Sequence, residues 1–457
     1  MLSLALRNAR IVTPKGVIEG DLGIENGQIT HVGQVGPAQQ DVDLVGHWLM
    51  PGGVDPHAHI EQMSGMGLLN ADTFETATRS ALMGGTTSVI SFAAQRHGES
   101  IARRVADYST RAARGAMTDY AFHLIVSDPH VPDFASELRA LIEAGHRSLK
   151  LFTTYLIKLD DPDILMVMGK ARDHGALTCV HAENDALIGL AKRRLLAEGK
   201  RLPKHHAESH PRLAEIEAVE RLCHFAEYLG SQVMLFHIST AEAAETVRAA
   251  KMRGVPIWAE TCPHYLMMTE EILDQPDGGK WMCSPPQRTA QDQAALWAAL
   301  ADGTLDLVSS DHAPFRYDET GKLAAGPGAG FPEIANGMPG LETRLPLMFH
   351  AMVTEDRGGP EAFARLTSTA PADVYGLPGK GRIEEGADAD LVAWNPERSH
   401  LYGADDLNDN VGYNPWVGTQ VRGWPERVWL RGNCVVDAGK CLARPGQGQW
   451  LERPRPH

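Results

Sequence analysis

Two histidines one residue apart close a short apolar run, Val54-Asp55-Pro56-His57-Ala58-His59. On an extended strand alternate side chains face the same way, so His57 and His59 point to one side. Two imidazoles on one side can share a metal ion. Lys150 stands among apolar neighbours in Ser148-Leu149-Lys150-Leu151-Phe152. An ammonium is costly to bury there, and taken alone Lys150 reads as a lysine paired with a carboxylate. Two further runs end in single histidines, Cys179-Val180-His181-Ala182-Glu183 and Leu235-Phe236-His237-Ile238-Ser239. Each reads equally well as a hydrogen-bonded core histidine. A last run ends in Ser309-Ser310-Asp311-His312, where Asp311 is a ligand, a base or a helix cap. The set carries more than its members. Four histidines, one lysine and one aspartate stand at the ends of five separate apolar runs, and unrelated core residues have no reason to collect there.

Such residues act together only if the chain brings those ends to one place. Eight segments have strand length and apolar character: residues 54–59, 86–93, 120–127, 148–155, 177–182, 233–239, 256–261 and 306–311. Helix-period stretches separate them, among them residues 101–116, 212–229, 241–253 and 290–301. Asp72-Thr73-Phe74-Glu75 fits a capping box, with Phe74, Ala77, Ala81 and Leu82 following on one face. Asp161-Pro162 places an N-cap before a proline at the first helical position. Eight β→α units in series predict an α/β fold, a (β/α)8 TIM-like barrel. Every residue singled out above then lies at the C-terminal rim of the barrel, where active sites of this architecture sit.

The two ends of the chain differ from its middle. Residues 2–12 read as a strand, and Asn26-Gly27 between two further strands is a two-residue hairpin signal. Residues 376–457 return to short strands rich in Gly, Trp and Val, as in 390–394 and 427–435. The expected division is therefore 1–50 as the first part of a small β-sandwich, 51–375 as the barrel, and 376–457 as the second part of the sandwich with a C-terminal tail.

The 457 residues carry 43 Lys+Arg against 58 Asp+Glu, a net charge of −15. That field disfavours nucleic acids and anionic membranes, and neither is expected as a partner. Apolar content of 43% with 22% charged residues is that of a globular protein and excludes disorder over most of the length. The six cysteines, Cys179, Cys223, Cys262, Cys283, Cys434 and Cys441, form no C-x-x-C and read as reduced thiols. Residues 1–11 are too poor in apolar residues before Arg7 and Arg10 for a signal segment. No stretch approaches 18 apolar residues. A cytoplasmic location is the expectation.

With these residues in order, the sequence resembles the amidohydrolase superfamily, specifically its hydantoinase/dihydropyrimidinase branch. The resemblance runs from Leu49-Met50-Pro51-Gly52-Gly53-Val54-Asp55-Pro56-His57 to Gly386-Ala387-Asp388-Ala389-Asp390-Leu391-Val392. It includes Gly84-Gly85-Thr86-Thr87-Ser88, Glu260-Thr261-Cys262-Pro263-His264-Tyr265-Leu266 and Tyr413-Asn414-Pro415. It implies a site for two divalent metal ions. His57, His59 and Asp311 would hold the more buried ion, His181 and His237 the second. Lys150 would bridge both after carboxylation by CO2, which turns an ammonium that cannot ligate into an anion that can. Zinc is the expected metal, with manganese the alternative.

The resemblance also implies a reaction. A hydroxide bridging the two ions would attack the carbonyl of a cyclic amide, as in hydantoins or dihydropyrimidines. Asp311 would take its proton and pass it to the leaving nitrogen. The Tyr155 hydroxyl would help stabilise the oxyanion. Ser284, in Cys283-Ser284-Pro285-Pro286, and Asn336, in Ile334-Ala335-Asn336-Gly337, would bind the –NH–CO–NH– portion of a cyclic ureide. An imidase or an allantoinase would use the same centre. Relatives imply a homotetramer or homodimer, with residues 407–453 resembling their subunit-contact segment.

This chain also departs from its relatives. Dihydroorotases carry an arginine two residues past the second histidine to hold a substrate carboxylate, and here that position is Glu61. The segment Ile60-Glu61-Gln62-Met63-Ser64-Gly65-Met66-Gly67 differs from the usual hydantoinase lid. Met63, Met66, Leu68 and Leu69 there form either a pocket for a ring substituent or simple lid packing. Two other readings remain. A non-catalytic scaffold, like the collapsin response mediator relatives, has lost metal ligands that this chain keeps. A mononuclear deaminase would not need Lys150. His97, His123, His205, His206, His264 and His312 are read as structural, and Trp258 and Trp281 as packing.

Overall fold

The structure is a computed structural model, and it describes residues 2–454. The chain begins with five strands: β1 (Leu2–Thr13), β2 (Gly16–Glu25), β3 (Gln28–Gly33), β4 (Ala38–Asp43) and β5 (Trp48–Pro51). β2 and β3 meet at Asn26-Gly27, both with positive φ, 52° and 80°. That is the backbone a tight hairpin needs, and Asn and Gly tolerate it best. β1 is long enough to pair antiparallel with β2 and parallel with both β4 and β5.

Eight strands follow: β6 (Gly53–Ala58), β7 (Thr86–Ala94), β8 (Asp119–Ile125), β9 (Ser148–Phe152), β10 (Leu177–His181), β11 (Val233–Leu235), β12 (Ile257–Thr261) and β13 (Leu307–Val308). They pair in chain order as one parallel sheet, so all eight expected segments are strands. The sheet curls until the segment after β13 meets β6. Ala58 is bridged to His312, and the His59 N–H donates to the His312 carbonyl at 2.7 Å. Asp55 strengthens this seam. Its Oδ1 accepts the N–H groups of His57 and Ser310, and its Oδ2 lies 3.2 Å from the buried Arg344 guanidinium.

Helices cover the outside, including Phe74–Met83, Ile101–Gly115, Asp161–His174, Arg212–Leu229, Ala241–Met252 and Ala290–Ala301. Phe134–Glu143 and Asp185–Ala197 add two that the sequence reading did not single out. Side chains alternate along each strand. One set packs outward under the helices, as Val89, Leu151 and Val180 do. The other set fills the barrel, with Ile90, Phe92, Ala121, Cys179, Met234 and Phe236.

After the barrel come β14 (Leu391–Leu401), β15 (Gln420–Leu430), β16 (Asn433–Asp437) and β17 (Lys440–Cys441). β14 pairs antiparallel with β5, so both ends of the chain share one mixed sheet of nine strands among the described residues. The sheet wraps its own apolar cluster, with Leu6, Ile11, Leu22, Leu49, Leu391 and Trp429. Lys380 clamps this domain to the barrel, its ammonium buried against Asp119, Asp388 and Asp390.

Several local expectations change. The N-cap of Phe74–Met83 is Thr73, and its reciprocal partner is Thr76 rather than a glutamate. Asp72 instead accepts from Thr76 Oγ1 and faces His312. Asp160 caps Asp161–His174, so Pro162 stands one position further in. Residues 427–435 are two strands, because Arg431 and Gly432 both take positive φ and reverse the chain. The Gly84-Gly85 pair has a steric reason: a Cβ at Gly84 would lie 2.2 Å from the Glu342 carbonyl oxygen.

Candidate metal centre and substrate cavity

The strand ends open into one cavity of about 810 Å³. All nine residues singled out from the sequence line it: His57, His59, Lys150, Tyr155, His181, His237, Ser284, Asp311 and Asn336. That volume accommodates a small ring with a substituent.

The imidazoles are held from behind. His57 Nδ1 lies 2.5 Å from Glu260 Oε1, and its Nε2 lies 3.0 Å from Asp311 Oδ1. His59 Nδ1 meets Gln62 Oε1 at 2.7 Å, and its Nε2 is 3.6 Å from the same Asp311 oxygen. His181 Nε2 meets Glu183 Oε2 at 2.7 Å. The His237 ring sits 4.5 Å from that of His181, and its buried Nδ1 has no hydrogen-bond partner among the described residues. Ligand atoms of His57, His237 and Asp311 lie within 4.8 Å of one another.

Three positions here have left-handed backbones: Tyr155 at φ 70°, His237 at 43° and Asp311 at 46°. Such conformations are strained for these residues and concentrate at functional sites. The strands are also shorter than expected. β9, β11 and β13 stop at Phe152, Leu235 and Val308, and the positive-φ residues follow two or three positions later.

The electrostatics suit metal ligation. Burial pushes the His59, His181 and His237 imidazoles below their ordinary range, leaving neutral rings with lone pairs. Burial acts the same way on His57, but the flanking Asp311 and Glu260 carboxylates raise it overall. Burial disfavours the Asp311 carboxylate, yet His57 and His59 beside it hold it well below the usual range. Lys150 is 1% exposed, its Nζ enclosed by the rings of Phe236, Phe152 and Phe92 at 3.8, 4.8 and 5.8 Å. That enclosure pushes its pKa down to about 7. Imidazoles, a carboxylate and a desolvated lysine form a donor set that fits divalent metal ions.

The substrate side is polar in a few places only. Asn336 Nδ2 donates to the Tyr155 hydroxyl oxygen at 3.3 Å. Asn336 Oδ1 is buried without a partner among the described residues. The Ser284 hydroxyl donates to Glu183 Oε2 at 2.6 Å. The lid alternatives separate: Met63 and Met66 line the cavity, while Leu68 and Leu69 do not. Glu61 turns away, accepting the Phe74 N–H at 3.0 Å and facing Arg111. Neither Trp258 nor Trp281 lines the cavity, but His97 and His206 do.

Sequence reading missed the residues that hold these imidazoles: Glu260, Glu183 and Gln62. A signal existed for two of them. Glu183 lies two residues past His181, and Glu260 shares the inward parity of Trp258 on β12. Glu183 is also bound by His210 Nδ1 at 2.8 Å, a contact across separate elements that no local pattern announces.

The amidohydrolase family model matches residues 48–435. The chain is 38% identical to the D-hydantoinase of Ralstonia pickettii, over 99% of each chain. It is 37% identical to the D-hydantoinase of Rhizobium radiobacter, again over 99% of each. Its fold matches the crystal structure of the dihydropyrimidinase from Brevibacillus agri NCHU1002 with a TM-score of 0.95 at 34% identity, covering 100% of this chain and 99% of that one. A barrel rim of this composition and relatives of full length agree: the chain belongs to the amidohydrolase family, in its hydantoinase/dihydropyrimidinase branch, and is a cyclic amide hydrolase.

Proposed function

We propose that this chain is a binuclear metal hydrolase that opens the cyclic amide bond of hydantoins or dihydropyrimidines. One observation carries the reading. His57, His59 and His181 each have one ring nitrogen fixed by a protein acceptor, beside Asp311, His237 and a desolvated Lys150.

His57, His59 and Asp311 would hold one ion and His181 and His237 the other, with carboxylated Lys150 between them. In the carboxylation, the neutral Nζ forms a bond to the carbon of CO2 and releases one proton. Zinc fits these ligands, and manganese is the second choice. Two divalent ions supply Lewis acidity and a water-derived nucleophile near neutral pH.

The remaining work falls to side chains. Asp311 takes up the proton of the attacking water and delivers it to the leaving nitrogen. The phenolic hydrogen of Tyr155 donates to the carbonyl oxygen as charge develops. Partial desolvation in the cavity and the nearby Glu183 hold that phenol above its ordinary pKa, so the hydrogen stays in place. The Ser284 and Asn336 segment pairs with the ring –NH–CO–NH–, and the buried Asn336 Oδ1 is a ready acceptor for a ring N–H. A polar site of this kind rejects rings that leave its groups unpaired. The turned-away Glu61 offers no cation for a substrate carboxylate. No helix among the described residues is long and apolar enough to cross a membrane. The six free cysteines suit a cytoplasmic protein, and the resemblance suggests a homodimer or homotetramer, which light scattering tests.

The deciding experiment combines metal analysis with a substrate panel of hydantoin, 5-substituted hydantoins, dihydrouracil, allantoin, succinimide and dihydroorotate. About two divalent ions per chain with turnover of the hydantoins or dihydrouracil supports the proposal. A chain that takes up no metal supports a scaffold instead. Turnover of succinimide without the ureides replaces it with an imidase. Lys150→Ala should abolish activity, and an active Lys150→Ala enzyme would point to a mononuclear deaminase.

A further inference from the structure

The C-terminal segment docks on the opposite end of the barrel from the cavity. Gly448 donates to the Ala116 carbonyl at 2.9 Å, and Leu451 donates to the Tyr120 carbonyl at 2.8 Å. Arg453 follows, 1% exposed. Its guanidinium donates to the carbonyls of Gly145 at 3.3 Å and Phe122 at 2.8 Å, and to Ser148 Oγ at 2.7 Å. All three acceptors are neutral. Burying a cation among neutral groups is expensive, so a hydrophobic residue would have served packing better.

The third contact leads inward. Ser148 Oγ lies 2.7 Å from His123 Nδ1, and His123 Nε2 lies 2.7 Å from the Pro56 carbonyl oxygen. A carbonyl only accepts, so Nε2 carries the hydrogen and Nδ1 is an acceptor. The Ser148 hydroxyl must then donate to His123 and accept from Arg453. The Pro56 carbonyl at one end and the Arg453 cation at the other fix the direction of these hydrogen bonds, and the Cys179 Sγ lies 3.8 Å from the same Nδ1. Burial holds the His123 ring neutral. The chain ends one residue before His57 and passes through the residue two before Lys150, on the same face of β9.

We propose that Arg453 is a positioning residue for the metal centre, holding β6 and β9 in one relative placement through Ser148 and His123. The inference rests on the metal-centre reading above. Its mechanism is the mutual polarisation of linked hydrogen bonds, which makes the links act as one unit.

The test uses the full chain loaded with Zn(II) and bicarbonate, then titrated with a competing chelator. Arg453→Met and Ser148→Ala should each weaken Zn(II) retention about tenfold, in the range for residues that orient ligands. The double variant should lose no more than about tenfold, because both changes break the same chain. kcat should fall while KM stays within about twofold. Wild-type retention in either single variant overturns the proposal, as does a multiplicative loss of about a hundredfold in the double. If Arg453→Met fails to fold, Ser148→Ala decides alone by the same criterion. A wild-type chain that binds no Zn(II) overturns the metal-centre reading and this proposal together. One that binds two ions, with variants unaffected, overturns this proposal only.

Discussion

Glu260 and His57 are joined by a 2.5 Å hydrogen bond wholly inside the barrel. The carboxylate comes from β12 and the imidazole from β6, which are not neighbours in the sheet. The bond fixes the ring so that Nε2 faces Asp311, and a carboxylate behind an imidazole raises its strength as a ligand. Glu260→Gln keeps an acceptor but removes the charge, and should weaken retention of the first ion about tenfold. Glu260→Ala removes both, and should approach a hundredfold loss. Chelator competition with metal analysis measures this independently of turnover.

Tyr155→Phe removes the phenolic hydroxyl that meets Asn336 at the cavity. It should lower kcat about 10²–10³-fold, the usual effect of deleting an oxyanion donor, with bound metal unchanged. Steady-state kinetics on a hydantoin and metal content on the same preparation check it. An unchanged kcat would remove Tyr155 from the chemistry.

Met66, half exposed at the cavity rim, should matter only to substrates with a bulky substituent. Met66→Ala removes apolar contact worth about 1–2 kcal/mol against an aryl group. The expected result is a roughly five- to thirtyfold lower kcat/KM for an aryl-substituted hydantoin, with unsubstituted hydantoin little changed. Paired kinetics on the two substrates decide it.

Lys322 is wholly buried, donating to the carbonyls of Gly279 and Met282 at 2.9 and 3.0 Å. Burial pushes its pKa down to about 7 from an ordinary 10.5. Between those values the unfolded chain binds a proton that the folded chain has released, so stability rises with pH by up to about 1.4 kcal/mol per unit. Below about 7 both states are protonated and this slope vanishes. The urea midpoint of the wild type should therefore climb between pH 7 and pH 9 relative to that of Lys322→Met. Parallel pH dependence in the two proteins would refute the assignment.

Much of this site was legible in the sequence because strands have a period of two. His57 with His59, and Lys150 with Phe152, are same-face pairs that simple alternation reveals. The eight-fold run of strand and helix then placed those residues at one rim. The turn at Asn26-Gly27 was legible for a local reason too, since few residues accept its backbone. The caps at Thr73 and Asp160 were off by one position, because several polar residues stand side by side there and tertiary contacts chose among them. Asp72 was drawn away by His312.

Alternation places Glu183 and Glu260 on the inward face, but it does not show which groups they reach across the barrel. Glu260, Glu183 and Arg453 act across 203, 101 and 305 residues of chain, on His57, Ser284 and Ser148. Sequence alone determined which side chains are able to bind metal and on which face of a strand they stand, because local geometry dictates both. Closure of the barrel decided which nitrogen of each ring looks inward, how strongly Lys150 is desolvated, and where the tail's cation is buried. Those properties depend on distances between groups far apart in the chain, and only the packed structure sets such distances.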